Sequence, residues 1–307
     1  MGLARPGRDG RTRGRGRGLR PRIEAMEVRI TPSTIPGPSA LVWTGASDSA
    51  WTNAANWSGG QAPKAGDALV FPSGAARLVS SNNFPAGTQF QAITISGAGY
   101  TLGGNPLTLS DSLNSTYHSG SSLNAIDMTL GGGSVVVAPG GTLDLSGVLS
   151  GAGGLNLSGG GNLSLTGSVA NAYSGTTVVA SGTLVLAKQG VPAIPGDLTI
   201  GDGSGTDLVR ALGDDQIADV STLTINSTGL LDLNGYSDAI GGLNMTGGSV
   251  ATGTGTLTLG GDVMINAGGG TATISGQLDL GGLRFVYVAD DPGTAINLDL
   301  TADVVGA

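Results

Sequence analysis

A single histidine, His118, stands in a chain of 307 residues, cysteine is absent, and both glutamates, Glu24 and Glu27, lie near the start. General acid–base and nucleophilic chemistry therefore has few residues to draw on. His118 sits in the Ser-rich stretch STYHSGSS, where a solvent-exposed loop histidine is expected and a catalytic one is the alternative. Two carboxylates suffice for glycoside hydrolysis, so the adjacent pairs Asp214–Asp215 and Asp290–Asp291 are candidate sites. Neighbours on a strand point to opposite faces, which makes both pairs loop residues by preference. The sharpest metal candidate is GDGSGTDLV, Gly201 to Val209, which approximates a glycine-rich calcium nonapeptide with Asp202 and Asp207 as ligands. Calcium in that architecture is shared between tandem copies, and here there is one copy, so a plain glycine-rich turn is the preferred reading. Trp43, Trp51 and Trp57 are the only tryptophans and fall within fifteen residues. They form either a platform for stacking carbohydrate or a small core closing one end of the structure, and the second is favoured. No catalytic residue, cofactor or firm metal ligand is nominated.

The elements that position these groups follow from composition. Glycine accounts for 57 residues and aromatic residues for 4%, while the hydrophobic fraction is 39%. Glycine at that density in a polar chain would mean disorder, but the apolar residues come as alternating Leu, Val and Ile, which predicts β structure. Charge is uneven. Nine of the 14 Lys and Arg lie between Arg5 and Arg29, whereas the remainder carries five bases against 19 acids, all of them Asp. Residues 1–39, with GRDGRTRGRGRGLRPR and TPSTIPGPS, are expected to be a disordered Arg/Gly/Pro-rich export or linker segment. Its Arg-Gly run would bind nucleic acid or an anionic surface on the functional reading. On the plain one it is a solvated tail, or lies upstream of a start at Met26 or later. The acidic body predicts no nucleic-acid partner, and no apolar run reaches the length of a membrane-spanning helix.

After about Ala92 one short unit recurs eight times: GTLDL, GGLNL, GNLSL, GTLVL, GLLDL, GGLNM, GTLTL and GQLDL, starting at Gly141, Gly153, Gly161, Gly182, Gly229, Gly241, Gly255 and Gly276. Period two puts both apolar side chains on one face, and the leading glycine allows a tight corner. Units this short gain stability by stacking Leu upon Leu, so a β-solenoid is predicted, with a β-sandwich as the alternative. The expected boundaries are a Trp-rich β cap over residues 40–91 and a solenoid over 92–307. A longer repeat also appears. LDLSGVLSGA (Leu143 to Ala152) returns as LDLTADVVGA (Leu298 to Ala307), which leads to the expectation that the sequence belongs to a longer repeat protein.

Gly151 to Leu186, GAGGLNLSGGGNLSLTGSVANAYSGTTVVASGTLVL, resembles the autotransporter-associated β-strand repeat. The matching positions are Gly161, Leu163, Leu165, Gly167, Tyr173, Gly175, Thr177, Val178, Gly182 and Leu184. Within NAYSGTTVVASGTLVL, Val178, Leu184 and Leu186 are expected to face inward, with Tyr173 filling a corner. LRPRIEAMEVRITPS, Leu19 to Ser33, looks like a segment near the start of many planctomycete exported proteins, with Ile23 and Met26 in place of leucines. The resemblance implies a right-handed parallel β-helix on the cell surface or outside the cell, associated with the outer membrane, and supplies no catalytic residues. The resulting expectation is a non-enzymatic structural or adhesin-like protein whose partners are surface polysaccharide or other cell-surface proteins. A β-helix lyase or glycosidase, or a carbohydrate-binding module using the tryptophans, is the alternative.

Overall fold

Alternating apolar residues separated by glycine corners yield strands of mostly three to five residues, and none of these can stand alone. They are stable because each lies on the equivalent strand of the coil before it. The computed structural model describes residues 40–132 and 134–306, so the expectations for residues 1–39 lie outside the described residues. The described chain is an all-β solenoid of about 11 turns, and every paired strand runs parallel to its neighbour. Many side-chain hydrogen bonds between successive coils join residues 20 to 25 apart. A sandwich of antiparallel strands is therefore ruled out. Among the described residues no helix is long and apolar enough to cross a membrane.

The parallel register threads single columns of side chains through the whole body. One column reads Leu41, Leu69, Ile93, Leu113, Val135, Leu157, Val179, Ile200, Ile225, Met245, Ile265 and Val288. A second face stacks Leu143, Leu163, Leu184, Val209, Leu231, Val250, Ile274 and Leu300. The interior members of both columns are buried, each worth about 1.5–3 kcal/mol of removal from water. The G-x-L-x-L leucines thus point inward, as their period requires.

Two particulars differ from expectation, and a third, the tryptophan cluster, follows the favoured reading of a closing core. The solenoid column starts at Leu41, so residues 40–91 are its first coils as well as its cap, and the boundary near Ala92 does not mark a change of architecture. Val178 faces outward: Thr177 and Val179 are the buried residues of strand Thr177–Val179, and they stack on Leu155 and Leu157. The run T-T-V-V carries a β-branched residue in either phase, so alternation alone cannot choose between them. The three tryptophans are buried, with 0%, 0% and 2% of their surfaces exposed. Trp57 packs edge-on to both Trp43 and Trp51, at centroid distances of 5.2 and 6.4 Å, and Phe71 and Phe90 pack against the same cluster. The Nε1–H groups of Trp43 and Trp57 donate to the carbonyls of Arg77 and Trp51. No ring face is left for a sugar.

Close stacking of backbones explains the glycines at the corners. Gly182 has φ +107°, and a methyl group there would overlap the carbonyl oxygen of Gly161 in the preceding coil. Gly175 has the same difficulty with the backbone of Gly153 and Gly154. The other repeat positions fall into place around them. Leu163, Leu165, Leu184 and Leu186 are fully buried, and Tyr173 is buried with its hydroxyl 2.6 Å from Thr177 Oγ1.

The last coil is built like the others, and among the described residues no further coil pairs with it. Strand Val286–Val288 pairs only with Val263–Ile265, and strands Leu298–Leu300 and Asp303–Val305 pair only with Ala272–Asp279. Val286, Val288, Leu300 and Val304 continue inward-facing columns yet are 41–47% exposed.

Candidate functional site

Outward positions of stacked strands form rows spaced about 4.8 Å apart. One such row contains Thr101, Leu123, Asp144, Ser164 and Val185. It forms the wall of an open groove of about 440 Å³ that also takes in Ser121, Thr142, Thr166, Ala187 and Leu212. The lining is hydroxyls and small apolar groups around one carboxylate. Asp144 Oδ1 accepts a hydrogen bond of 2.6 Å from Thr166 Oγ1, which fixes both side chains on the groove wall. A smaller groove of about 270 Å³ is lined by Pro106, Asp127, Met128, Thr129, Val148 and Ser150, again with one carboxylate. Asp127 Oδ1 is engaged by the backbone N–H of Val148. Each groove therefore offers a single Asp, and a displacement needing two opposed carboxylates finds only half of its machinery in either.

Lys188 is the unexpected residue beside these grooves. It is buried, and its Nζ donates to the carbonyl of Thr166 at 2.9 Å. Burial lowers its basicity, while the nearby carboxylates of Asp127 and Asp144 pull the other way. Its backbone N–H donates to Gln216 Oε1, and Gln216 Nε2 returns a bond to the Lys188 carbonyl. Gln216 N–H in turn donates to Asp238 Oδ2. Asn171 bridges neighbouring coils in the same way, accepting from Leu149 N–H and donating to the Ala193 carbonyl. Burial pushes the Asp238 carboxyl up to about 7, against the opposing pull of the N–H groups of Gln216, Ile217 and Ala239. These polar side chains satisfy peptide groups where the coils turn, so they complete the backbone's hydrogen bonding and aim at no open space.

The residues singled out from sequence do not converge. His118 is exposed, and its ring Nδ1 lies 3.2 Å from the carbonyl of Pro139 in the next coil. Asp214 accepts from Ser237 N–H, and Asp215 occupies a turn with φ +53°. Asp291 is held below the usual carboxylate range by the N–H groups of Gly268 and Gly293 and the hydroxyl of Thr294. Asp290 is exposed on the same loop. The members of each pair thus serve turns, as their adjacency required.

Asp202 and Asp207 sit at the two ends of one glycine-rich loop in different surroundings. Asp202 is exposed and its Oδ1 accepts both the N–H and the hydroxyl of Ser204, which lower its pKa. Asp207 is buried in register with Gly182 and Gly229, and Thr228 Oγ1 donates to its Oδ2 at 2.6 Å. Its Oδ1 has no partner, and burial raises its pKa. Among the described residues no three His, Cys, Asp or Glu side chains come together as a metal cluster.

No protein-family model, curated protein or solved structure matches this chain.

Proposed function

We propose that this protein is a non-enzymatic scaffold of the cell surface or extracellular space, and that the solenoid displays its polar outer rows to surface polysaccharide or other surface proteins. The observation that carries the reading is the division of the coil. Columns of Leu, Val and Ile run inside, and an outer row of hydroxyls lies along the groove of Thr101, Ser121, Thr142, Ser164 and Thr166. The resemblance of Gly151 to Leu186 to the autotransporter-associated repeat supports the same reading, and so does the resemblance of Leu19 to Ser33 to an export-related segment. The single carboxylate in each groove weighs against the glycosidase alternative. Burial of the tryptophans moves any polysaccharide contact from Trp43, Trp51 and Trp57 to the hydroxyl groove.

The test is a panel of surface polysaccharides offered to the purified protein, read by binding and by release of new sugar ends. Retention without cleavage, weakened by Thr142→Val together with Thr166→Val, is the expected result. Cleavage that disappears in Asp144→Asn would replace the scaffold reading with an enzymatic one.

A further inference from the structure

One corner of the stack carries more chain than the turn requires. Strand Thr177–Val179 turns into Gly182–Leu186 through Ala180 and Ser181 alone, whereas one coil later Leu198–Ile200 reaches Asp207–Ala211 through residues 201–206. At the foot of this loop Asp207 takes the register position of Gly182 and Gly229 in the coils on either side. A corner built for glycine thus holds a carboxylate, with 0% of its surface exposed. Thr228 Oγ1 donates to Oδ2, and no group among the described residues reaches the buried Oδ1. The loop returns over this carboxylate, since both the N–H and the charge of Asp202 act on it. Among the described residues no base is paired with either Asp: Arg210, the nearest in sequence, is joined to Asp232 at 2.8 Å.

We propose that this corner is a calcium site, in which Asp207 Oδ1 and the Asp202 carboxylate hold the ion together with carbonyl oxygens of the loop. A buried carboxylate oxygen that no donor reaches is an arrangement that a cation completes. Further oxygens are at hand. Both bonds from Ser204 fall on Asp202 Oδ1, which leaves Oδ2 for the ion. The carbonyls of Asp202, Gly203, Ser204 and Gly205 accept no hydrogen bond among the described residues. Thr228 Oγ1 accepts from Gly203 N–H and so brings a hydroxyl from the next coil to the same place. Two carboxylates with neutral oxygens make a hard, irregular ligand set. It suits calcium, which takes about six to eight oxygens, better than magnesium, which demands a regular octahedron. With no Cys in the chain and the single His118 outside this loop, a softer metal finds no ligand. Burial raises the Asp207 pKa, and a bound cation brings it down again. The ion ties the loop to its own coil and, through Thr228, to the next one. This role stands apart from the surface-display reading.

Calorimetric titration of the full chain, first stripped with a chelator, with calcium chloride tests the proposal. The expected result is one saturable site with a dissociation constant of about 10⁻⁴–10⁻³ M. A rise in melting temperature should accompany it, and magnesium at the same concentrations should not reproduce that rise. Asp207→Asn keeps the shape of the corner but removes its charge, and should weaken binding at least tenfold. Asp202→Asn, at an exposed side chain, should do the same. Asp219→Asn removes an exposed acid from a different turn and should leave binding unchanged. Circular dichroism without calcium separates a lost site from a lost fold, and if Asp207→Asn does not fold, Asp202→Asn carries the test. Absence of calcium binding, an equal melting response to calcium and magnesium, or undiminished binding in the folded Asp202 and Asp207 variants would each overturn the proposal.

Discussion

The first coils and the last coil of this solenoid are made by the same pairing rule but finished in opposite ways. Strand Ala68–Phe71 rests under a cluster of tryptophans and phenylalanines, whereas no described residue covers strand Val286–Val288. The difference teaches that stacking and capping are separate tasks for the sequence. Stacking needs only short apolar alternation with glycine at the corners, and Leu, Val and Ile supply it through the whole body. Closing an end needs side chains large enough to span the coil, and three tryptophans within fifteen residues supply that over the first coils.

The largest effect is expected in the middle of the stack. Leu184→Asp places an unpaired charge between Leu163 and Val209, at a cost of roughly 5 kcal/mol or more, and should abolish the cooperative thermal transition seen by circular dichroism. Trp51→Ala, at the capped end, should cost about 3–5 kcal/mol and should fray the first coils before the rest, a loss readable as proteolysis near residues 68–95. Next comes a pH effect inside the body. The folded-state pKa of Asp238, about 7, lies above that of an unfolded Asp, so protonation favours the folded state. Stability from this group is complete below about pH 4 and is lost as pH rises through 7, a change of a few kcal/mol. Asp238→Asn should flatten that slope in denaturant melts taken across the range. The smallest effect belongs to the open end. Val288→Asp, in the same kind of column as Leu184, should shift monomer stability by no more than about 0.5 kcal/mol, because the charge stays in water.

Much of this contrast is legible in the sequence, and what is not has physical reasons. G-x-L-x-L announces an inward pair and a preceding corner, so the leucines from Leu143 to Leu278 can be assigned directly. The first coils are harder to see because Leu69, Ile93 and Leu113 lie in strands such as ALVF and LTLSDSLNS, whose apolar residues have no leading glycine. The direction of Val178 is ambiguous because its neighbours fit either phase, and only the register with Leu155 and Leu157 decides it. The turn-completing group of Asn171, Lys188, Gln216 and Asp238 leaves no local signal, since its members are brought together from successive coils. The groove is of the same kind: Thr101, Asp144 and Ser164 become neighbours only through stacking.

The central claim is that, among the described residues, the first coils lie under an aromatic cap and the last described coil does not. Amide hydrogen exchange on dilute, monomeric protein tests it most directly. Strands Ala68–Phe71 and Thr88–Ile95 should exchange as slowly as Thr142–Leu145 and Gly182–Leu186, while Val286–Val288, Leu298–Leu300 and Asp303–Val305 should exchange orders of magnitude faster. Equal protection at both ends, or fraying that begins at the tryptophan end, would contradict it.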